Sequence, residues 1–354
     1  MSLTLEKRDT FSTLTNFLVP VISIVVALLI GALIISLSGF SPLTAYYEMF
    51  AGAFGSGYSI SETIVKAIPL MLCALGVGLA FKTVLWNIGA EGQLYVGAWA
   101  AGWVALSFPD GQSWWLIPLM MLAGFIGGAL WGLIPGILKA SMNVNEIITS
   151  LLLNYVAILG VDYFVYGPWK DPKGYGFPFS PFFGQGAWLP TFFGTRIHLG
   201  IIFAVLAALI LYYLLKSMRL GYEIRVIGEN VLAARYAGMN IFRTILIVFA
   251  ISGGLAGLAG MAEVSGVIHR LQHAISPGYG YTAIIIAWLS RLNPIATVIV
   301  SILFGGLLVG GFSVRSLGLS ESLVYIIQGI ILFLLLAGEI LTRYRVVWRG
   351  GSRG

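Results

Sequence analysis

The chain has 354 residues, 10% of them charged and 58% hydrophobic, and a net charge of +6. A soluble domain carries about 25% charged residues, and no soluble fold of this length could hide so much apolar surface. The composition therefore excludes a soluble enzyme and points to an all-α, polytopic membrane protein. The cations sit at the ends of apolar runs, where membrane topology accounts for them without nucleic acid. The single cysteine, Cys73, excludes an internal disulfide.

Residues 1–16 are a short polar start carrying Lys7 and Arg8. Residues 17–37 form an apolar run long enough to span at ~1.5 Å per residue. They lack a small-residue cleavage site and read as an anchor, not a removed leader. Residues 41–61 predict an external turn and a short helix. Spans follow over 64–81, interrupted at Pro69, then 84–108, 114–138 and 146–165. Gly124, Gly128, Gly132 and Gly136 recur every fourth residue and share one helical stripe, a packing face. Residues 167–197 are rich in Pro, Gly and aromatics and read as an extracytoplasmic loop. Further apolar runs cover 199–215, 244–264, 279–289, 295–309 and 323–341. The run at 279–289 is short for a crossing and reads as a broken or re-entrant helix. A basic tail occupies 342–354.

Ten crossings with both termini in the cytoplasm leave only Lys66, Lys170, Lys173, Arg196, Arg270 and Arg315, of 20 Lys and Arg, outside or near the outer face. The excess of cations inside agrees with this topology. Spans two to five and seven to ten would be groups of opposite orientation, an inverted repeat with the transport path at its interface. Each group holds a glycine-dense helix with a lone carboxylate, Glu91 in one and Glu263 in the other. The whole of 1–354 reads as one transmembrane domain.

One long basic segment, 216–243, interrupts the apolar runs. Lys216, Arg219, Arg225, Arg235 and Arg243 fall in it. Asn230 is a good N-cap, the residues after it favour helix, and Gly238 supplies a stop, so a short helix is expected at about 231–237. Its small residues Ala233, Ala234, Ala237 and Gly238 allow close approach by another protein. The alternative is an amphipathic helix resting on lipid headgroups.

Polar residues inside the apolar runs are the other candidates. On a helix, Asn87 and Glu91 share a face while Gln93 points elsewhere. Glu146, Ser150 and Asn154 stand at i, i+4 and i+8, a polar stripe along one span. Such groups either line a water-filled path or satisfy one another and nearby backbone; for Glu91 the partner would be Lys82 or backbone donors. His269 and His273 are four apart, but no third metal ligand follows. There is no phosphate-binding loop and no set of nucleophile, base and orienter, so the chain reads as neither an ATPase nor another enzyme.

The stretches WNIGAEGQLYVGA, VNEIITSLLLNYVAI, IGENVLAARYAGM with the following SGGLAGLAG, and AISPGYGYTAIIIAWL resemble the permease subunits of bacterial ABC importers. The branch is that of the branched-chain amino acid and ribose permeases, and within it the nucleoside and simple-sugar subgroup. The resemblance covers the chain from about 31 to 341. It implies a pair of permease subunits, identical or paralogous, in the bacterial inner membrane and in contact with lipid. It also implies cytoplasmic ATPase subunits that bind ATP and Mg, with no cofactor in this chain, and an extracytoplasmic binding protein or lipoprotein that delivers the solute. Glu229, Asn230, Ala233, Ala234, Arg235, Tyr236, Ala237 and Gly238 would form the coupling helix seated on the ATPase. Asn87, Glu91, Gln93, Glu146, Ser150 and Asn154 would wet the path during alternating access. The competing expectations are an ion- or proton-coupled secondary transporter using Glu91, Glu146 or Glu263, and a multispanning membrane enzyme.

Overall fold

The computed structural model describes residues 2–7, 13–320 and 322–349. Arg8 and the last part of the basic tail lie outside the described residues. In chain order the elements are β1 (Ser2–Lys7), α1 (Thr13–Leu37), α2 (Pro42–Phe54), α3 (Gly57–Lys82), α4 (Ala90–Ser107), α5 (Ser113–Met142), α6 (Glu146–Tyr166), α7 (Gly200–Ser217), α8 (Arg219–Glu229), α9 (Val231–Tyr236), α10 (Ile241–Glu263), α11 (Tyr279–Leu289), α12 (Pro294–Ser313), α13 (Ser322–Arg343) and β2 (Tyr344–Arg349). Helices dominate because lipid offers the backbone no hydrogen-bond partner.

Among the described residues, six helices are long and apolar enough to cross a membrane, or seven if the pair Val21–Leu37 and Pro42–Phe54, bent by 116°, is one span. The sequence predicted ten crossings. Polar Glu91 and Gln93 stand in the first turn of α4, α11 has only 11 residues, and the apolar stretch of α13 is also short. A second difference lies at 84–89, which the sequence placed inside a span; the helix begins only at Ala90. A third is α8, an amphipathic helix within the basic insert whose apolar side buries Ile224 and Ile227.

Contacts divide the chain into two units, Met1–Ala53 with Leu307–Gly354, and Phe54–Gly306. In the first, α1 lies against α13, with Ser23 Oγ donating to the Leu334 carbonyl at 3.1 Å. The two chain ends pair as an antiparallel ribbon, from Ser2 opposite Arg349 to Lys7 opposite Tyr344. Among the described residues the ribbon is the one two-stranded sheet.

In the second unit, the predicted glycine stripe of α5 packs on α10. A Cβ on Gly128 would overlap the Gly253 carbonyl, and one on Gly132 would lie 2.7 Å from the Phe249 carbonyl. With no hydrophobic drive between helices in lipid, this close backbone approach supplies the attraction. Two long helices are each followed by an irregular break and a second helix: α3, then 83–89, then α4; and α10, then a π-helical turn (Val264–Ile268) and 269–278, then α11. Each long helix packs on the other's partner, α3 against α11 and α10 against α4. The loop at 167–197 is irregular but laced to the second break: Ser180 N–H donates to the Leu271 carbonyl at 2.9 Å and Phe183 N–H to the His269 carbonyl at 2.8 Å.

Candidate functional site: a node where two broken helices meet

The first break begins with Val84 at φ +56°, a β-branched residue in the left-handed region. Such strain persists only where surrounding structure holds it. A non-helical segment buried in the bundle leaves amides and carbonyls needing partners. The stripe on α6 supplies them turn by turn. Glu146 Oε1 accepts from Trp86 N–H at 3.5 Å, and Ser150 Oγ accepts from Ile88 N–H at 3.2 Å. Asn154 Oδ1 accepts from Gly92 N–H at 2.8 Å, while its Nδ2 donates to the Ile88 carbonyl at 2.9 Å and to Tyr281 OH at 3.2 Å. Glu146 also pairs with Lys139 at 3.0 Å.

Asn87 lies in the break and not on a helix, so the predicted face shared with Glu91 does not exist. Asn87 instead forms a reciprocal amide pair with Gln93, Nδ2 to Oε1 at 3.0 Å and Oδ1 from Nε2 at 3.1 Å, and donates to Ser252 Oγ at 2.9 Å. Gln93, which helical spacing turned away from Asn87, is its main partner. Glu91 takes backbone donors, as one expectation had it, and not Lys82: its Oε2 accepts from Gly280 N–H at 2.7 Å. A Cβ on Gly280 would overlap the Glu91 amide nitrogen. The N-termini of α4 and α11 thus abut, with a carboxylate where two helix dipoles present positive ends. All six predicted path residues meet in this node, and all six are buried and hydrogen-bonded.

The insert adjoins the node. A Cβ on Gly228 of α8 would overlap the Lys82 carbonyl, so α8 seats on the end of α3 next to Val84. Asn230 caps α9 as predicted, its Oδ1 accepting from Leu232 N–H at 2.9 Å and Ala233 N–H at 3.1 Å. Gly238 ends the turn at φ +71°. Ala234, expected on the free face, is buried against its own chain, whereas Val231, Leu232, Arg235 and Tyr236 are exposed, Tyr236 at 93%.

Sequence reasoning missed a second polar cluster. Lys66 Nζ lies 3.4 Å from Glu263 Oε1 and donates to Tyr279 OH at 2.9 Å, and Arg196 pairs with Glu62 at 3.0 Å. Lys66 and Glu263 are 197 positions apart, too far for any local pattern. His198 is fully buried nearby. Burial, and then the positive charges of His269, Arg196 and Lys66, push its imidazole down to about 4. The two histidines weighed as metal ligands separate: His269 stacks on Trp188 at 4.0 Å, and His273 Nδ1 meets Asp162 at 2.9 Å.

The family profile for the permease component of branched-chain amino acid transport systems matches residues 59–336. The chain is 39% identical to the glucose ABC transporter permease protein TsgB13 of Haloferax volcanii, over 98% of this chain and 94% of that protein. It is 37% identical to the guanosine ABC transporter permease protein NupP of Bacillus subtilis, over 90% and 93%, and 31% identical to the nucleoside ABC transporter permease protein NupB of Lactococcus lactis, over 89% of each. These matches run through both broken helices and the insert between them, and a secondary transporter or membrane enzyme is no longer a competing account. A chain of buried polar nodes joined to a capped basic insert is thus the transport subunit of a larger machine: it belongs to the permease family of branched-chain amino acid transport systems and is a multi-pass, membrane-spanning permease subunit of an ABC importer.

Proposed function

We propose that this permease carries a nucleoside or a simple sugar, received from an extracytoplasmic binding protein or lipoprotein and driven by cytoplasmic ATPase subunits that bind ATP and Mg. The observation that carries the coupling is the seat of α8 on the end of α3: α9 projects its exposed side beyond the bundle, and α8 abuts the strained start of the break at 83–89. A push on α9 is delivered to the node. Residues 229–238 are the ATPase contact, made by Val231, Leu232, Arg235 and Tyr236 rather than by Ala234. Asn87, Glu91, Gln93, Glu146, Ser150 and Asn154 reach the path only when α4 and α11 part, since each is bonded in this conformation. The substrates for which the relatives are named, glucose, guanosine and nucleosides, support the cargo class.

The chain works beside a second permease subunit, in the inner membrane of a bacterial cell, with both termini cytoplasmic. The ribbon pairing Ser2–Lys7 with Tyr344–Arg349 supports an even number of crossings, as ten would give. The test is uptake of labelled uridine and D-glucose into vesicles holding this chain with its neighbouring ATPase and binding-protein gene products. Uptake that requires both partners and ATP is expected. Uptake by this chain alone, driven by an ion gradient, would sink the proposal, and so would a complex that moves neither solute.

A further inference from the structure

The Lys66 cluster has more hydrogen-bonding capacity than its own members use. Glu263, the last residue of α10, is 2% exposed, yet its Oε2 has no hydrogen-bond partner among the described residues. Its other oxygen meets Lys66 at 3.4 Å, longer than a good charge-assisted bond of about 2.7–2.9 Å. At Gly266, three residues after Glu263, and at Gly200, the ring of His198 fills the space that the glycines leave: a Cβ on either would stand 2.6 or 2.7 Å from it. His198 Nδ1 accepts from Gly200 N–H at 3.2 Å, which leaves the proton on Nε2, and Nε2 too has no partner among the described residues. Idle buried polar atoms are expensive, and two in one cluster call for a reason.

The side chain of Lys66 is 31% exposed and forms the rim. It stands roughly 24 Å along α3 from Lys82, on the side of the bundle away from α8 and α9. The cluster therefore offers an idle acceptor beside an ammonium donor, with an idle ring N–H close by. Lys66 and Glu263 balance in charge. An anionic ligand meets the carboxylate and a cationic one meets the ammonium, so the chemistry favours a neutral ligand with adjacent hydroxyls. One hydroxyl donates to Glu263 Oε2, and its neighbour accepts from Lys66.

We propose that Lys66, Glu263 and His198 form a weak site for the neighbouring hydroxyls of the neutral cargo, reached when α3 and α10 part. This rests on the reading of the protein as a nucleoside or sugar importer. A diol is what those two cargo classes share.

The experiment uses the complete transporter in vesicles at cargo concentrations that saturate the binding protein. Uridine is compared with 2′,3′-dideoxyuridine, and D-glucose with 3-deoxy-D-glucose. The parent should move the hydroxylated member roughly tenfold faster, the discrimination expected of hydrogen bonds to charged groups. In Glu263→Gln and Lys66→Met the ratio should fall towards one. Ratios that match the parent in both variants overturn the site. Should the ion-pair variants fail to assemble, His198→Phe decides: a lowered ratio supports the site, and a parental one overturns it. A parent complex that moves neither uridine nor D-glucose overturns the importer reading and the site with it, whereas a parent that moves either one without discriminating overturns the site alone.

Discussion

Gly280 N–H donates to Glu91 Oε2 at 2.7 Å across 189 positions of sequence. The bond joins the first turn of α4 to the first turn of α11, so the two broken helices share one carboxylate at their meeting point. A group that costs several kcal/mol to bury alone is held there by backbone donors and two helix dipoles. Any parting of α4 from α11 would break this bond.

Asn154 serves two backbone groups and Tyr281 OH, so Asn154→Leu leaves buried partners unsatisfied and should destabilise by about 2–3 kcal/mol. Ser150→Ala loses one acceptor and should cost about 1 kcal/mol. Cys73, the single cysteine, is fully buried, so its labelling by a thiol dye on heating reports unfolding in detergent. If Asn154→Leu melts with the parent but transport is lost, the residue acts in the path and not in holding the break.

Gly128→Leu should abolish the α5 and α10 contact, because even a Cβ overlaps the Gly253 carbonyl. The expected result is little or no protein recoverable from the membrane. Gly160→Ala is the control: nothing lies within 4 Å of the place its Cβ would take, and Ala favours helix by about 1 kcal/mol. Equal yields of the two variants would contradict the packing.

His198 is neutral in the folded chain down to about 4, against 6.5 for a free imidazole. Above 6.5 both states are uncharged and the residue adds no pH dependence. As pH falls from 6.5 to about 4, the unfolded chain takes up a proton that the folded chain refuses. Stability should therefore drop by about 3 kcal/mol across that window. His198→Phe should remove its share of the slope, leaving that from His269, whose imidazole burial also lowers. An unchanged melting profile in His198→Phe between these pH values would count against the buried neutral ring.

On α9, Tyr236→Ala removes an exposed ring and should leave melting unchanged while weakening ATPase association. Asn230→Ala loses a cap at about 1 kcal/mol and should act more mildly on association. Single cysteines at Leu232 and Tyr236, in a background lacking Cys73, should crosslink to the ATPase. Equal crosslinking along all of 216–243 would defeat the docking assignment. Ala234→Trp is a poor probe, since Ala234 is buried within its own chain.

The sequence by itself determined the membrane class, which is a matter of composition, and the glycine face of α5, the cap and stop of α9 and the polar stripe of α6, which are written in residues close together along the chain. It also picked out all six members of the node as residues out of place in lipid. It could not say what they touch. Helical periodicity put Asn87 beside Glu91, but the helix begins only at Ala90, and the break before it turned Asn87 to Gln93. Only the tertiary structure brought Gly280 to Glu91 and Lys66 to Glu263, and turned Ala234 inward. Those are contacts between distant helices, fixed by which backbones pack closely enough to meet, and no local pattern records that choice.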